Sequence, residues 1–136
     1  FVMSSREKQT EYLANVIVDE YEKEKTKKKE LEICILGKSF KANTNMMDGS
    51  PAILLKNILE ERNLDIKMFD PHIDEDSESV LELLLSRPHI YFIGCKHSVF
   101  QTYIFPSGSI VIDPHRYISE QDNVTLIQIG VGLVNC

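Results

Sequence analysis

Two periods of hydrophobicity alternate along this chain. Leu13, Val16, Ile17 and Tyr21 recur at the spacing of one helix face, which predicts a helix from about Ser4 to Lys29. Its tail, YEKEKTKKKE, interleaves acids with lysines and reads as a solvated last turn and linker. The period then changes. LEICILG is β-branched and apolar, a predicted first strand, and SPAILLKNILEERN follows as a helix with Leu54, Leu55, Ile58 and Leu59 on one side. LDIKMFDP alternates and stops at Asp70-Pro71, a second strand. A helix from about Ser77 to Ser86, the strand HIYFIG, a short helical piece near His97 to Tyr103, and the strands SIVIDP and VTLIQIG complete the series. Strands alternating with helices predict βαβ units, a parallel sheet and right-handed crossovers. There is no internal repeat.

The chain is organised around Ile35 to Ala52. A buried strand ends at Gly37, Lys38 and Lys41 flank Phe40 in a loop, and Ser50-Pro51 opens a helix with a capping hydroxyl and a proline preset for the first turn. A strand that feeds a loop and a helix N-terminus can hold an anion. In open parallel sheets ligands bind at the carboxyl ends of strands. Those ends carry Gly37-Lys38, Asp70, Gly94-Cys95 and Asp113-Pro114-His115-Arg116. Lysine and arginine meeting at one crevice suit a phosphate-bearing ligand, and Phe40 could lie against a base or ribose; scattered surface charge is the competing reading.

Composition narrows the function. The 136 residues are enough for one domain with a real core, with 43% hydrophobic and 26% charged residues. A net charge of −6 argues against broad nucleic-acid or membrane-surface binding but allows a local basic pocket. Three widely spaced cysteines, Cys34, Cys95 and Cys136, fit a reducing, cytoplasmic setting and give no disulfide framework. No apolar run reaches the length of a membrane span, and no secretory signal opens the chain. The first residue is Phe1 rather than Met, so a piece of a longer protein is expected.

Familiar motifs fall short. GKS at Gly37 to Ser39 invites a phosphate-loop reading, but Glu32 stands where the first glycine is needed. A dinucleotide site would place a ribose-binding acid at Asp70, yet Lys38, Ser39 and Phe40 fill the turn that G-x-G-x-x-G needs; Asp70 reads instead as a turn-former before Pro71. DPHIDED lacks the spacing of a calcium loop. Cys95 with His97 suggests a metal or a thiol–imidazole pair, but no second pair stands at ligand spacing, and Cys34 and Cys95 read as core residues.

The combination of segments resembles one family. Leu36-Gly37, Phe40-Lys41, Asn43-Thr44, Ser50-Pro51-Ala52 and Phe69-Asp70-Pro71 follow the order of the C-terminal domain of UDP-glucose/GDP-mannose dehydrogenases. IYFIGCKHSVF, with His97 and Phe100, and SGSIVIDPHRYI are similar to its later strands, so the likeness runs from about Leu31 to the end. No single piece is specific; the combined pattern is. The resemblance implies an α/β fold: a Rossmann-like parallel sheet of about five or six strands with helices on both faces, preceded by a long N-terminal connector helix. Residues 1–30 would be connector and charged linker, and 31–136 the nucleotide-sugar-binding domain.

The family oxidises the C6 alcohol of a nucleotide sugar to a carboxylate in two NAD-dependent hydride transfers, with NAD bound mainly by an N-terminal domain. The resemblance is nearest to UDP-glucose 6-dehydrogenases, and it implies UDP-glucose or a related nucleotide sugar as ligand, NAD as cofactor, the remainder of a dehydrogenase chain as partner, and a homo-oligomer in full-length form. It places Phe40 and Lys41 at the nucleotide sugar, together with the basic residue after the fourth strand, His115 or Arg116. None of the cysteines matches the family's catalytic one, so no catalytic residue, cofactor-binding residue or metal ligand is assigned, and the chain alone is expected to lack dehydrogenase activity. Two departures matter: Asp48 stands where the family usually has an arginine that reaches NAD, and an acid there repels a pyrophosphate; and His115 stands two residues after Asp113, where much of the family has its arginine, with Arg116 one further on. A non-catalytic assembly or regulatory module is the alternative.

Overall fold

The computed structural model describes residues 5–27, 31–38, 51–71, 77–95, 97–114 and 116–128. Nine elements follow in chain order: α1 (Ser5–Thr26), β1 (Glu32–Leu36), α2 (Pro51–Glu61), β2 (Ile66–Phe69), α3 (Ser77–Leu84), β3 (His89–Ile93), a 3₁₀ turn (Ser98–Thr102), β4 (Ile110–Asp113) and β5 (Thr125–Gln128). The short helical piece expected near His97 is that 3₁₀ turn.

All four strand pairings are parallel, in the order β2-β1-β3-β4-β5. This is a doubly wound α/β sheet whose order reverses between β1 and β3. Alternation along each strand sorts side chains to two faces. Ile33, Ile35, Ile90, Phe92, Ile110 and Ile112 point to the face covered by α1 and α2, with Leu13, Ala14, Ile17, Leu55 and Leu59. Cys34, Leu36, Tyr91, Ile93 and Val111 point to the other, under α3 and the 3₁₀ turn, with Leu84, Phe100, Tyr103 and Phe105. Both faces are covered, so the central strands read as unbroken apolar runs; all five residues of β3 are buried. Each fully buried aliphatic or aromatic side chain contributes about 1.5–3 kcal/mol.

The helices start and stop for local reasons. Pro51 opens α2, while the Ser50 cap expected before it lies outside the described residues. The helix closes at Asn63, which takes a left-handed φ of 64°. Asn63 N–H donates to Glu60 O at 3.0 Å and Leu64 N–H to Leu59 O at 3.2 Å, a Schellman stop sealed by Leu64 against the core. Of the four apolar α2 residues named from the sequence, Leu55 and Leu59 are buried, Ile58 packs beside them and Leu54 is half-buried. The N-terminal helix packs on α2 and buries Leu13, Ala14 and Ile17 in the core. No described helix is long and apolar enough to cross a membrane.

Candidate functional site at the strand ends

Where strand order reverses, the loops leaving β1 and β3 must diverge to opposite faces, which opens a crevice at their carboxyl ends. Here the two strands approach as closely as backbone allows. Gly94 N–H donates to Leu36 O at 2.7 Å, and Gly37 N–H to Phe69 O at 2.7 Å. A Cβ on Gly94 would stand 2.8 Å from Gly37 O and 2.9 Å from Ala52 Cβ. Gly37 has a φ of 103°, and a Cβ there would meet Cys95 at 2.9 Å. Only glycine fits either position.

Beside this junction lies a buried polar pair. Asp70, at the end of β2, and His97, after β3, have side chains with no solvent exposure, and His97 Nε2 is 2.8 Å from Asp70 Oδ2. Lys38 N–H donates to the same oxygen at 2.7 Å. A carboxylate oxygen that already accepts one bond accepts the second too, which fixes the proton on Nε2. Asp70 thereby ties the first residues of the β1 loop to the segment after β3. Tyr103 is pushed up to about 12, first by burial and then by the charge of Asp70.

After β4, the buried Asp113 carboxylate does similar work. Its Oδ2 accepts from Tyr117 N–H at 2.5 Å, Ile118 N–H at 2.7 Å and Gln128 Nε2 at 3.3 Å. Between them Arg116 is exposed, with a left-handed φ of 54°.

Of the four residues expected to contact ligand, Phe40, Lys41 and His115 lie outside the described residues, as does Asp48. Arg116 is described, on the loop that leaves β4. Strands in a sheet lie about 4.8 Å apart, so the ends of β1 and β4, with β3 between them, stand on the order of 10 Å apart. The loops carrying the expected basic residues thus leave one edge of the sheet.

Two readings change. Asp70 is more than a turn-former: its carboxylate is consumed inside the fold. His97 pairs with Asp70, which stands 27 residues away. The sequence held a faint signal for this, since both residues follow apolar strands in a parallel sheet. Cys34 and Cys95 are buried as expected, and burial pushes the Cys34 thiol up to about 12. Neither is an available nucleophile. Among the described residues no group of three or more His, Cys, Asp or Glu could hold a metal ion.

At the start of the β1 turn Gly37 packs against Cys95, and Lys38 follows it. What the carboxyl edge of the sheet offers is a switch point in strand order, backbone held by two buried carboxylates, and an exposed arginine on the β4 loop.

These features define a doubly wound α/β domain whose strand order reverses between β1 and β3. Residues 34–120 match the family model described as the UDP-glucose/GDP-mannose dehydrogenase family, UDP binding domain. That is more than half of the chain, and the chain belongs to this family. Among solved structures it is similar to a UDP-D-ManNAc dehydrogenase from Pyrococcus horikoshii, with a TM-score of 0.66 and 20% identity over 88% of this chain and 30% of that one. It is also similar to a ternary complex of GDP-mannose dehydrogenase from Pseudomonas aeruginosa, with a TM-score of 0.53 and 16% identity over 76% of this chain and 29% of that one. The chain thus spans less than a third of the length of either, and at these identities the likeness is one of fold. No curated protein sequence matches it.

Proposed function

We propose that this domain binds the nucleotide sugar of an NAD-dependent 6-dehydrogenase, with UDP-glucose as the first candidate. The observation that carries the reading is the match to a UDP binding domain, and the reversal of strand order between β1 and β3 with Arg116 exposed on the β4 loop supports it. Phe40 shapes the pocket, and Lys41 with Arg116 or His115 supplies positive charge to phosphate or sugar oxygens. NAD, which would accept the two hydrides of the alcohol-to-carboxylate oxidation, is held by the remainder of the dehydrogenase chain. In this reading α1 and the linker through residue 30 connect the domain to that remainder, and the full-length protein is a cytoplasmic homo-oligomer that binds no nucleic acid.

Calorimetry with UDP-glucose tests the ligand. Binding to the chain is expected to weaken about tenfold on Lys41→Ala, the loss of one charge-assisted contact. UDP-ManNAc and GDP-mannose, titrated in parallel, rank the alternatives. Failure of UDP-glucose to bind either this chain or the full-length protein would overturn the assignment. The chain alone is expected to form no NADH from UDP-glucose and NAD, since none of its three cysteines lies in a segment resembling the family's catalytic one.

Asp48 favours a second reading, a non-catalytic module used for assembly or regulation. It is distinguished by full-length protein that binds UDP-glucose but does not reduce NAD.

A further inference from the structure

The β4 loop contains a device that the family likeness does not require. Its crest residue, Arg116, is a non-glycine residue at φ 54°, a conformation that persists only where its surroundings impose it. Those surroundings converge on one oxygen. Asp113, fully buried at the end of β4, accepts through Oδ2 from the two backbone N–H groups that follow Arg116. The neighbouring strand braces both sides of this clasp: Gln128 Nε2 on β5 donates to Asp113 Oδ2 at 3.3 Å and to Ile118 O at 3.2 Å. From the other side Gln101 Nε2 donates to Tyr117 O at 3.0 Å. The residues around the crest are therefore pinned, and the crest itself is exposed.

A buried carboxylate is costly unless its charge is used. Here it fixes the backbone on the C-terminal side of an exposed arginine at the carboxyl edge of the sheet. We infer that Asp113, braced by Gln128, is a positioning residue that holds Arg116 in its left-handed conformation and thereby presents the guanidinium to the nucleotide sugar. The inference rests on the ligand reading above and adds to it how the arginine is preorganised. An arginine fixed in advance loses less freedom on binding than one on a loose loop.

The test is a cycle of variants in the chain, read by UDP-glucose titration and by amide hydrogen exchange. Asp113→Asn keeps the shape and removes the charge. It is expected to weaken binding about fivefold to tenfold in the parent, comparable to one ordinary hydrogen bond. In an Arg116→Ala background the same change is expected to cost less than twofold, because the residue through which it acts is gone. Equal losses in both backgrounds would mean a purely structural role and overturn the inference. Gln128→Leu, at the exposed sheet edge, repeats the comparison should Asp113→Asn fail to fold, with the same pattern expected at smaller size. Exchange gives a readout independent of ligand: the amides of Tyr117 and Ile118 are expected to exchange at least tenfold faster in Asp113→Asn. Unchanged exchange there overturns the clasp. Absence of UDP-glucose binding by both the parent chain and the full-length protein, with exchange accelerated as stated, overturns the ligand assignment and the presentation of Arg116 while leaving the clasp standing.

Discussion

The two ends of the same parallel sheet use charge in opposite ways, and β3 shows the contrast with one histidine at each end. At its amino end Glu32 pairs with both Lys67 and Arg87, the latter at 2.5 Å, and all three side chains are between 41% and 59% exposed. Nearby His89 is buried; its Nδ1 lies 2.8 Å from Arg87 O, and its Nε2 has no partner among the described residues. Burial, its largest influence, pulls its pKa below the ordinary imidazole range. At the carboxyl end the acids are buried rather than exposed. Asp70 and Asp113 lie at zero exposure, and each spends an oxygen on backbone N–H groups of a loop; His97 shares that of Asp70. Exposed charges that cancel one another in water contribute little to stability. Buried carboxylates that accept from backbone dictate loop shape. The difference teaches where a ligand site belongs: at the end where the fold fixes its loops.

The sharpest way to break this contrast is to fill the junction. Gly94→Val should cost more than about 3 kcal/mol or prevent folding, because its Cβ must displace a backbone carbonyl at 2.8 Å and Ala52 at 2.9 Å. A urea titration measures it, and near-native stability would show that the two strand ends can part freely. Next comes the buried pair. His97→Ala leaves the Asp70 carboxylate without one of its partners and is expected to cost about 3 kcal/mol in the same titration. A loss below about 1 kcal/mol would place the pair in the class of the exposed charges.

The buried environment of His89 can also be probed by pH. His89 has a folded pKa below its unfolded value of about 6.5, so the unfolded chain binds more protons just below that pH. Its contribution to stability is therefore complete above about pH 6.5 and declines as pH falls toward the folded pKa. Thermal melts of parent and His89→Gln across pH 5 to 8 should show a shallower acid-side decline in the variant; parallel curves would remove His89 as the cause. The smallest effect belongs to the exposed triad. Glu32→Gln is expected to change stability by less than about 1 kcal/mol. The Glu32 carboxyl is held below its usual range, chiefly by the hydrogen bond from Lys67. What it contributes is present above the carboxylate range and lost as pH falls through the folded pKa. Solvent and salt screen it, so the difference between parent and variant should shrink further at high ionic strength.

Much of the fold was legible because it is written in local pattern. The run from Glu32 to Leu36, the alternating β2 and the apolar HIYFIG each announced a strand, and βα alternation made the sheet parallel. The site was legible only in part. Arg116 was singled out by its place after a strand, and it stands exposed on that loop. Asp70 was read as a turn-former and His97 as a possible partner of Cys95, because their bond joins residues 27 apart in sequence and no periodicity encodes such a pairing. Asp113 gave no sign that its carboxylate would clasp the loop beyond it, since the residues it holds are recognised through backbone N–H groups, which every sequence supplies.

By itself, then, the amino-acid sequence determined the elements, their parallel pairing and the family to which the chain belongs. Those follow from side-chain periodicity, glycine and proline placement, and the order of short segments. Only the tertiary structure decided the order β2-β1-β3-β4-β5, the contact of Gly37 with the segment after β3, the Asp70–His97 pair and the left-handed crest at Arg116. Each of these depends on which distant strands become neighbours. That choice is made by the burial of two apolar faces at once, and a local stretch of sequence carries no record of it.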